Sequence, residues 1–258
     1  KSTMKKFKTI SMGLVLTMGL MTGLGATQVF ADDQKVYKIA CDQAYAPFSI
    51  QQDDGSYKGI DVELLAAIAE EEGFEYELTP MDFSGIIPAL VSGTIDGSIA
   101  GMNITDERKE SVDFSDGYYE SGSALVVNKD DDSISDFDDL KGKVAACKEG
   151  TTGQLWCEDH ADEYGFETTV YPDSVSMMMA VANEQADFLI EDYPVISYQI
   201  KIGEQENLKV AIDAIEEAPQ NGFAVKKGEN ADLLKMFNEG LQKIRDNGKY
   251  DEIIAEYE

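Results

Sequence analysis

Histidine is almost missing from this chain: its 258 residues hold one. That scarcity excludes multi-histidine metal sites and leaves a Ser-His-Asp triad no choice of base. Cations are scarce too, 21 Lys and Arg against 50 Asp and Glu, for a formal net charge of −29. Affinity for nucleic acid comes mostly from cations that neutralise phosphates, so no nucleic-acid partner is expected. Anionic membrane surfaces are disfavoured for the same reason. The three cysteines are an odd number and cannot all pair within one chain. No segment repeats at the period of about 20–50 residues that marks a solenoid. What is present, 43% apolar residues, suffices for one large domain or two lobes.

The charge is unevenly spread. Residues 1–31 carry Lys1, Lys5, Lys6 and Lys8 and no acid. An apolar stretch from Ile10 to Leu24 follows, interrupted by Gly13, Gly19 and Gly23, and shorter than the ~20 residues a helix needs to span a bilayer. Val29-Phe30-Ala31 then places small residues before Asp32. This pattern predicts a secretory signal peptide cut after Ala31. The remaining 227 residues (258 less 31) would hold 17 cations against 50 acids, a charge of −33. No cysteine closely follows the apolar stretch, so no lipid anchor is expected, and the protein is placed in the periplasm or at the cell exterior. Cys147 and Cys157 are near enough in sequence to pair. Cys147 ends a strand-like run, however, and Cys157 falls on the next helix, so structural thiols are expected for these two and for Cys41.

Past Asp32 the apolar pattern alternates between strands and helices. Short apolar or β-branched runs occur at 36–41, 95–100, 123–127, 143–147, 186–190 and 222–225. Helices are predicted over 61–72, with Gly73 as the stop, and over 84–92, 174–184, 230–246 and 248–257. Strand–helix alternation predicts an α/β architecture with mostly parallel sheets. In such sheets ligands bind at the C-terminal ends of strands, and four segments put polar groups there.

In the first, Asp42 follows a strand and precedes Tyr45, Pro47 and Phe48; it can form the polar end of a small site or a plain Asx-turn. In the second, a strand ends at Ala100-Gly101, Asn103 follows, Thr105 looks like an N-cap and Arg108 falls in the first helical turn. The helix dipole disfavours a cation there. Arg108 therefore either reaches an anion, whose carboxylate its planar fork fits, or pairs with Glu107 or Asp113. In the third, Lys148 ends a strand and Gly150-Thr151-Thr152-Gly153 opens a helix whose N–H groups suit an anion. The Lys precedes the glycines, so this is not a phosphate-binding Walker loop. In the fourth, Glu191 and Asp192 end a strand, and Pro194 starts a helix. Asp192 can cap that helix or hold an ammonium group. Acid–base hydrolysis by the two carboxylates is weakened by their adjacency on one strand. Together the segments supply an Arg and helix N–H groups for a carboxylate, and an acid and a carbonyl for an ammonium. Asp42, Lys148 and Glu191 remain for a third, variable group. That is a zwitterion site, and it implies a free amino acid.

Residues 35–258 resemble the type II periplasmic substrate-binding proteins of polar amino-acid ABC importers, most closely the glutamine-binding proteins. The resemblance is carried by Pro80-Met81-Asp82-Phe83-Ser84-Gly85-Ile86-Ile87-Pro88-Ala89-Leu90, by Ala100-Gly101, by Ile104-Thr105-Asp106-Glu107-Arg108-Lys109 and by Val112-Asp113-Phe114-Ser115-Asp116-Gly117-Tyr118-Tyr119. It implies an α/β fold of two lobes joined by two crossover strands, with hinges at 118–122 and 217–221. Lobe 1 would comprise 32–117 and 222–258, and lobe 2 would comprise 123–216. Arg108 and the N–H groups near Thr152 would hold the carboxylate. Asp192 and the Gly101 carbonyl would hold the ammonium. Tyr45 and Phe83 would sandwich the aliphatic part, and Asp42, Lys148 and Glu191 would read the side chain.

The expected partners are a free amino acid and a membrane permease, bound by a monomer that needs no metal, cofactor or catalytic residue. Asn103 stands where Thr or Ser is usual in the glutamine binders, and Glu191 where a His stands in one of them. The extra acid could favour a cationic side chain unless Lys148 neutralises it. Glutamine is the first expectation, basic amino acids the second and cystine the third. A ligand-sensing or permease-fused binding domain, or an enzyme of the same fold, stands as the alternative.

Overall fold

The structure, a computed structural model, describes residues 33–258; the predicted signal peptide and its cleavage after Ala31 lie outside the described residues. The chain opens with β1 (Val36–Asp42), a small hairpin of β2 (Ile50–Gln51) and β3 (Tyr57–Lys58), then α1 (Ile60–Glu72) and β4 (Glu75–Met81). It continues through α2 (Ile86–Ser92), β5 (Gly97–Ser98) and β6 (Val112–Phe114). It then crosses through β7 (Tyr119–Glu120) into β8 (Ser123–Asn128), β9 (Val144–Lys148), α3 (Thr152–Tyr164) and β10 (Glu167–Tyr171). α4 (Ser174–Ala182), β11 (Phe188–Asp192), α5 (Tyr193–Lys201) and β12 (Leu208–Ile212) follow. The return runs through β13 (Gln220–Asn221) into β14 (Ala224–Lys226), α6 (Ala231–Asp246) and α7 (Lys249–Ala255).

Two five-stranded sheets result, ordered β4-β1-β5-β14-β6 and β10-β9-β11-β8-β12, while β7 and β13 pair with each other in the crossover. The sheets are mixed rather than mostly parallel. β1 runs parallel to β4 and β5, and β9 parallel to β10 and β11, but β14 and β8 are antiparallel to their neighbours. The reason is topological. Each of these two strands enters directly from the crossover pair, so no βαβ unit dictates its direction.

α1 buries Ile60, Leu64, Leu65 and Ile68 and stops at Gly73, which takes φ 71°. α6 packs on it so closely that a Cβ at Gly240 would lie 2.7 Å from Ile68 Cγ2. Phe223 and Phe237 stack at 4.5 Å in the core beneath, each worth roughly 1.5–3 kcal/mol by burial. The three cysteines are free and buried.

Two local expectations change. The run at 95–100 keeps only Gly97–Ser98 as strand. A Cβ at Gly97 would lie 2.5 Å from the Phe223 ring, and the chain leaves the ladder to turn at Gly101, whose φ is 56°. No α-helix follows Thr105. A three-residue 3-10 turn, Arg108–Glu110, stands there instead, with Thr105 Oγ1 accepting the Arg108 N–H at 3.2 Å. So short a turn has little dipole, and Arg108 meets none of the penalty that a longer helix would impose.

Candidate functional site

The C-terminal ends of β1, β9 and β11 face one cavity, which also receives the turns carrying Phe83, Gly101 and Asn103. Asp42 ends β1 and Lys148 ends β9; their charged atoms meet at 2.6 Å with both side chains 4% exposed. The Lys148 ammonium lies 4.3 Å from the Tyr45 ring centre and 5.3 Å from that of Phe83. It therefore lies within cation–π range of both rings, and that attraction adds to the ion pair. The Tyr45 hydroxyl donates to Glu191 Oε1 at 2.8 Å, and Glu191 Oε2 is buried with no partner.

On the opposite side Arg108 donates from Nη1 to the Asn103 carbonyl at 2.7 Å and from Nη2 to the Gly150 carbonyl at 3.0 Å. Its guanidinium lies 5.4 Å from the Phe83 ring centre. Arg108 pairs with neither Glu107 nor Asp113 among the ion pairs of the described residues. Asn103 Nδ2 donates to Thr152 Oγ1 at 3.0 Å at the first residue of the 13-residue α3. Thr151, not Thr152, caps that helix, accepting the Gln154 N–H at 3.1 Å. Asp192 sits at the N-cap of α5, but its side chain makes no capping bond and faces the cavity.

Of the eleven residues singled out from the sequence, nine line the cavity. Asp42 stands one step back, its carboxylate turned to Lys148 and to the Ala44 N–H. Ala100 is fully buried among Phe83, Ile86 and Leu90. Its side chain is a core group and not part of the site, because the chain has not yet turned outward at Gly101. Glu191 and Asp192 both reach the cavity despite their adjacency. Ser123, Met177 and Ile190 also line it without having been singled out. Met177 lies in the Met177-Met178-Met179 run of the predicted helix 174–184, and nothing in the sequence marks Ser123. Among the described residues no cluster of His, Cys, Asp and Glu is arranged to hold a metal.

Burial pushes Glu191 up to about 7, and the neighbouring charge of Asp192 adds to the rise. Burial pushes Asp192 up to about 6, opposed by the Tyr45 hydroxyl and by Lys148 and Arg108. Both acids bind protons more tightly folded than unfolded. The stability they contribute is therefore fully present below the usual carboxylate range, about pH 4, and is lost as pH rises through about 6–7. The melting temperature of the ligand-free protein is expected to fall between pH 5 and 8. The double variant Glu191→Gln/Asp192→Asn should flatten that slope, and an unchanged slope would assign it to the overall acidity instead.

Residues 37–258 match the family described as bacterial extracellular solute-binding proteins, family 3. The chain is 31% identical to the arginine-binding extracellular protein ArtP of Bacillus subtilis (strain 168), over 97% of this chain and 96% of that one. Among solved structures, an ancestral arginine-binding protein bound to arginine matches with a TM-score of 0.80 at 35% identity, over 86% of this chain and 97% of that one. The open conformation of substrate-binding domain 2 of Lactococcus lactis GlnP is 40% identical, covering 87% and 96%, with a TM-score of 0.60. The lower score at higher identity accords with lobes that here meet across the cleft through Asp42–Lys148 and Tyr45–Glu191. With the match spanning nearly all of the described residues and both sheets, the chain belongs to the bacterial extracellular solute-binding proteins, family 3.

Proposed function

We propose that this protein captures a free polar amino acid with an uncharged side chain, glutamine foremost, outside the cytoplasm and delivers it as a monomer to an amino-acid ABC importer. In this reading the exported chain is residues 32–258, and the lobes close on the ligand by bending at 118–122 and 217–221. Arg108, with the N–H groups at the start of α3, takes the carboxylate. Asp192 and the Gly101 carbonyl take the ammonium, and the side chain enters between Tyr45 and Phe83.

The observation that carries the choice of ligand is the buried ion pair of Lys148 and Asp42 at 2.6 Å. It cancels the acid that would attract a guanidinium or ammonium side chain, and it sets a cation 4.3 and 5.3 Å from the two ring centres, where a second cation beside the rings would be repelled. A carboxamide suits what remains. Its oxygen can accept from Lys148, and its NH2 can donate to Glu191 or Asp42. A solved relative described as an ancestral arginine-binding protein bound to glutamine, 34% identical with a TM-score of 0.79, shows a close neighbour accommodating that ligand. An ancestral binding protein described as a precursor of cyclohexadienyl dehydratase also shares the fold at 32% identity. Fold alone does not carry an activity, and the groups here match the two ends of a zwitterion.

Calorimetric titration of the exported chain with each natural amino acid tests the proposal. Micromolar binding of glutamine is expected, and no binding tighter than millimolar to any amino acid would overturn the reading. Arginine, lysine or cystine binding ahead of glutamine would replace the ligand and keep the function. Lys148→Met gives a sharper readout. It leaves Asp42 buried without its partner, which only a cationic ligand can replace. Arginine affinity should rise and glutamine affinity fall, each by about tenfold or more for a charge-assisted bond; an unchanged preference would remove Lys148 from the specificity determinants.

A further inference from the structure

Tyr118 opens the first crossover and is fully buried, yet every polar atom it has is engaged. Its hydroxyl donates to Asp61 Oδ1 at 2.6 Å and accepts the Gly101 N–H at 3.2 Å. Its own N–H donates to the Asn221 carbonyl of the second crossover at 2.9 Å. Its carbonyl accepts from the Tyr250 hydroxyl and, at 3.5 Å, from Arg245. Asp61 lies in the first turn of α1 with no exposed surface. No ion pair of the described residues includes it, and its Oδ2 has no partner. A buried carboxyl with only the Tyr118 hydroxyl and the nearby Gly101 N–H to favour its charge is costly, and neither Asp61 nor Tyr118 lines the cavity. Burial pushes Asp61 up to about 7, so the group is retained against its preference for water.

What the pair does touch is the turn that lines the cavity. Gly101 takes φ 56°, and a Cβ there would lie 2.9 Å from the Tyr45 ring. Only glycine fits, and glycine is the residue least held by its own sterics. Its backbone direction must come from outside. The Asp61 carboxyl accepts the hydrogen bond of the Tyr118 hydroxyl, which leaves the phenolic oxygen's lone pairs for the Gly101 N–H.

We propose that Asp61 and Tyr118 are positioning residues for the ammonium end of the ligand: the carboxyl orients the hydroxyl, the hydroxyl holds the Gly101 N–H, and the turn is thereby fixed with its backbone toward the ligand's amino group. This rests on the amino-acid reading above, which places the ammonium at Asp192 and Gly101.

The test compares the exported chain with its Tyr118→Phe, Asp61→Asn and Asp61→Leu variants, using L-glutamine and its deaminated analogue 4-carbamoylbutanoate, the weaker ligand being measured by competition. Tyr118→Phe and Asp61→Leu are expected to weaken glutamine about tenfold or more and the analogue less than about threefold, since the analogue has no ammonium to place. Asp61→Asn keeps an acceptor for the hydroxyl and should hold glutamine within about threefold of wild type. An equal loss for both ligands, or an unchanged ratio, would overturn the proposal and leave the pair as a structural prop. Failure of the wild-type chain to bind any amino acid would instead overturn the functional reading, and this inference with it.

Discussion

Asp192→Asn is expected to abolish amino-acid binding while leaving the ligand-free protein as stable at pH 7 as the wild type, or more so. The carboxylate is buried beside Glu191, and burial raises it to about 6. It makes no capping bond to α5. In the empty protein it is therefore a poorly solvated charge next to a second acid, and an uncharged isostere relieves both penalties. In the proposed complex the same carboxylate would face the ligand ammonium in a site closed to water. Removing one partner of such a pair costs about 3–5 kcal/mol, roughly two to four powers of ten in affinity. Calorimetry and melting curves on the same samples decide the matter. A large fall in unliganded stability would make Asp192 a structural acid, and retained binding would put the ammonium elsewhere.

Arg108→Ala carries the second large effect, also loss of binding. The guanidinium is held by the Asn103 and Gly150 carbonyls and lies over Phe83. Burial lowers its pKa, while Asp192 favours its charge. It answers to no carboxylate of the protein within ion-pair distance among the described residues. A half-buried cation held only by carbonyls is placed to receive an anion from outside. Arg108→Lys should rescue little, because an ammonium cannot reproduce the planar fork. Glutamine amidated at its α-carboxylate should bind the wild type weakly and lose almost nothing further in Arg108→Ala. Equal losses for glutamine and the amide would show that Arg108 braces the cleft rather than meets a carboxylate. The unliganded melting temperature should move only a few degrees, since the freed carbonyls can take water when the cleft opens.

The strands legible in the sequence and those that were not divide along a physical line. The apolar runs at 36–41, 95–100, 123–127, 143–147, 186–190 and 222–225 correspond to β1, β5, β8, β9, β11 and β14, the interior strands of the two sheets. β4, β6, β10 and β12 gave no such run, and they are the four edges. An interior strand has both faces covered and must be apolar on both. An edge strand such as Glu167–Tyr171, exposed along nearly its whole length, keeps polar residues and reads as loop. Strand direction was equally hidden. The antiparallel insertion of β8 and β14 follows from how the crossovers enter the sheets, which no local pattern records.

Residue chemistry at the strand ends was readable from local order alone. A turn or cap must follow a strand that ends in an open α/β sheet, so Asp42, Lys148 and Glu191-Asp192 announce themselves by type and place. Partnership was not readable. Lys148 and Asp42 are 106 residues apart, and only the meeting of two lobes brings them to 2.6 Å and sets the ammonium near the rings of Tyr45 and Phe83. The partnership of Tyr118 and Asp61, 57 residues apart, carried no signal, because a Tyr and an acid in the first turn of a helix are ordinary in any sequence. The pattern of side chains along the chain thus determined the layers and the chemical vocabulary of the cleft. Tertiary structure decided which charges cancel, which are left for a ligand, and how far burial shifts them, since these depend on distance and dielectric rather than on order in the chain.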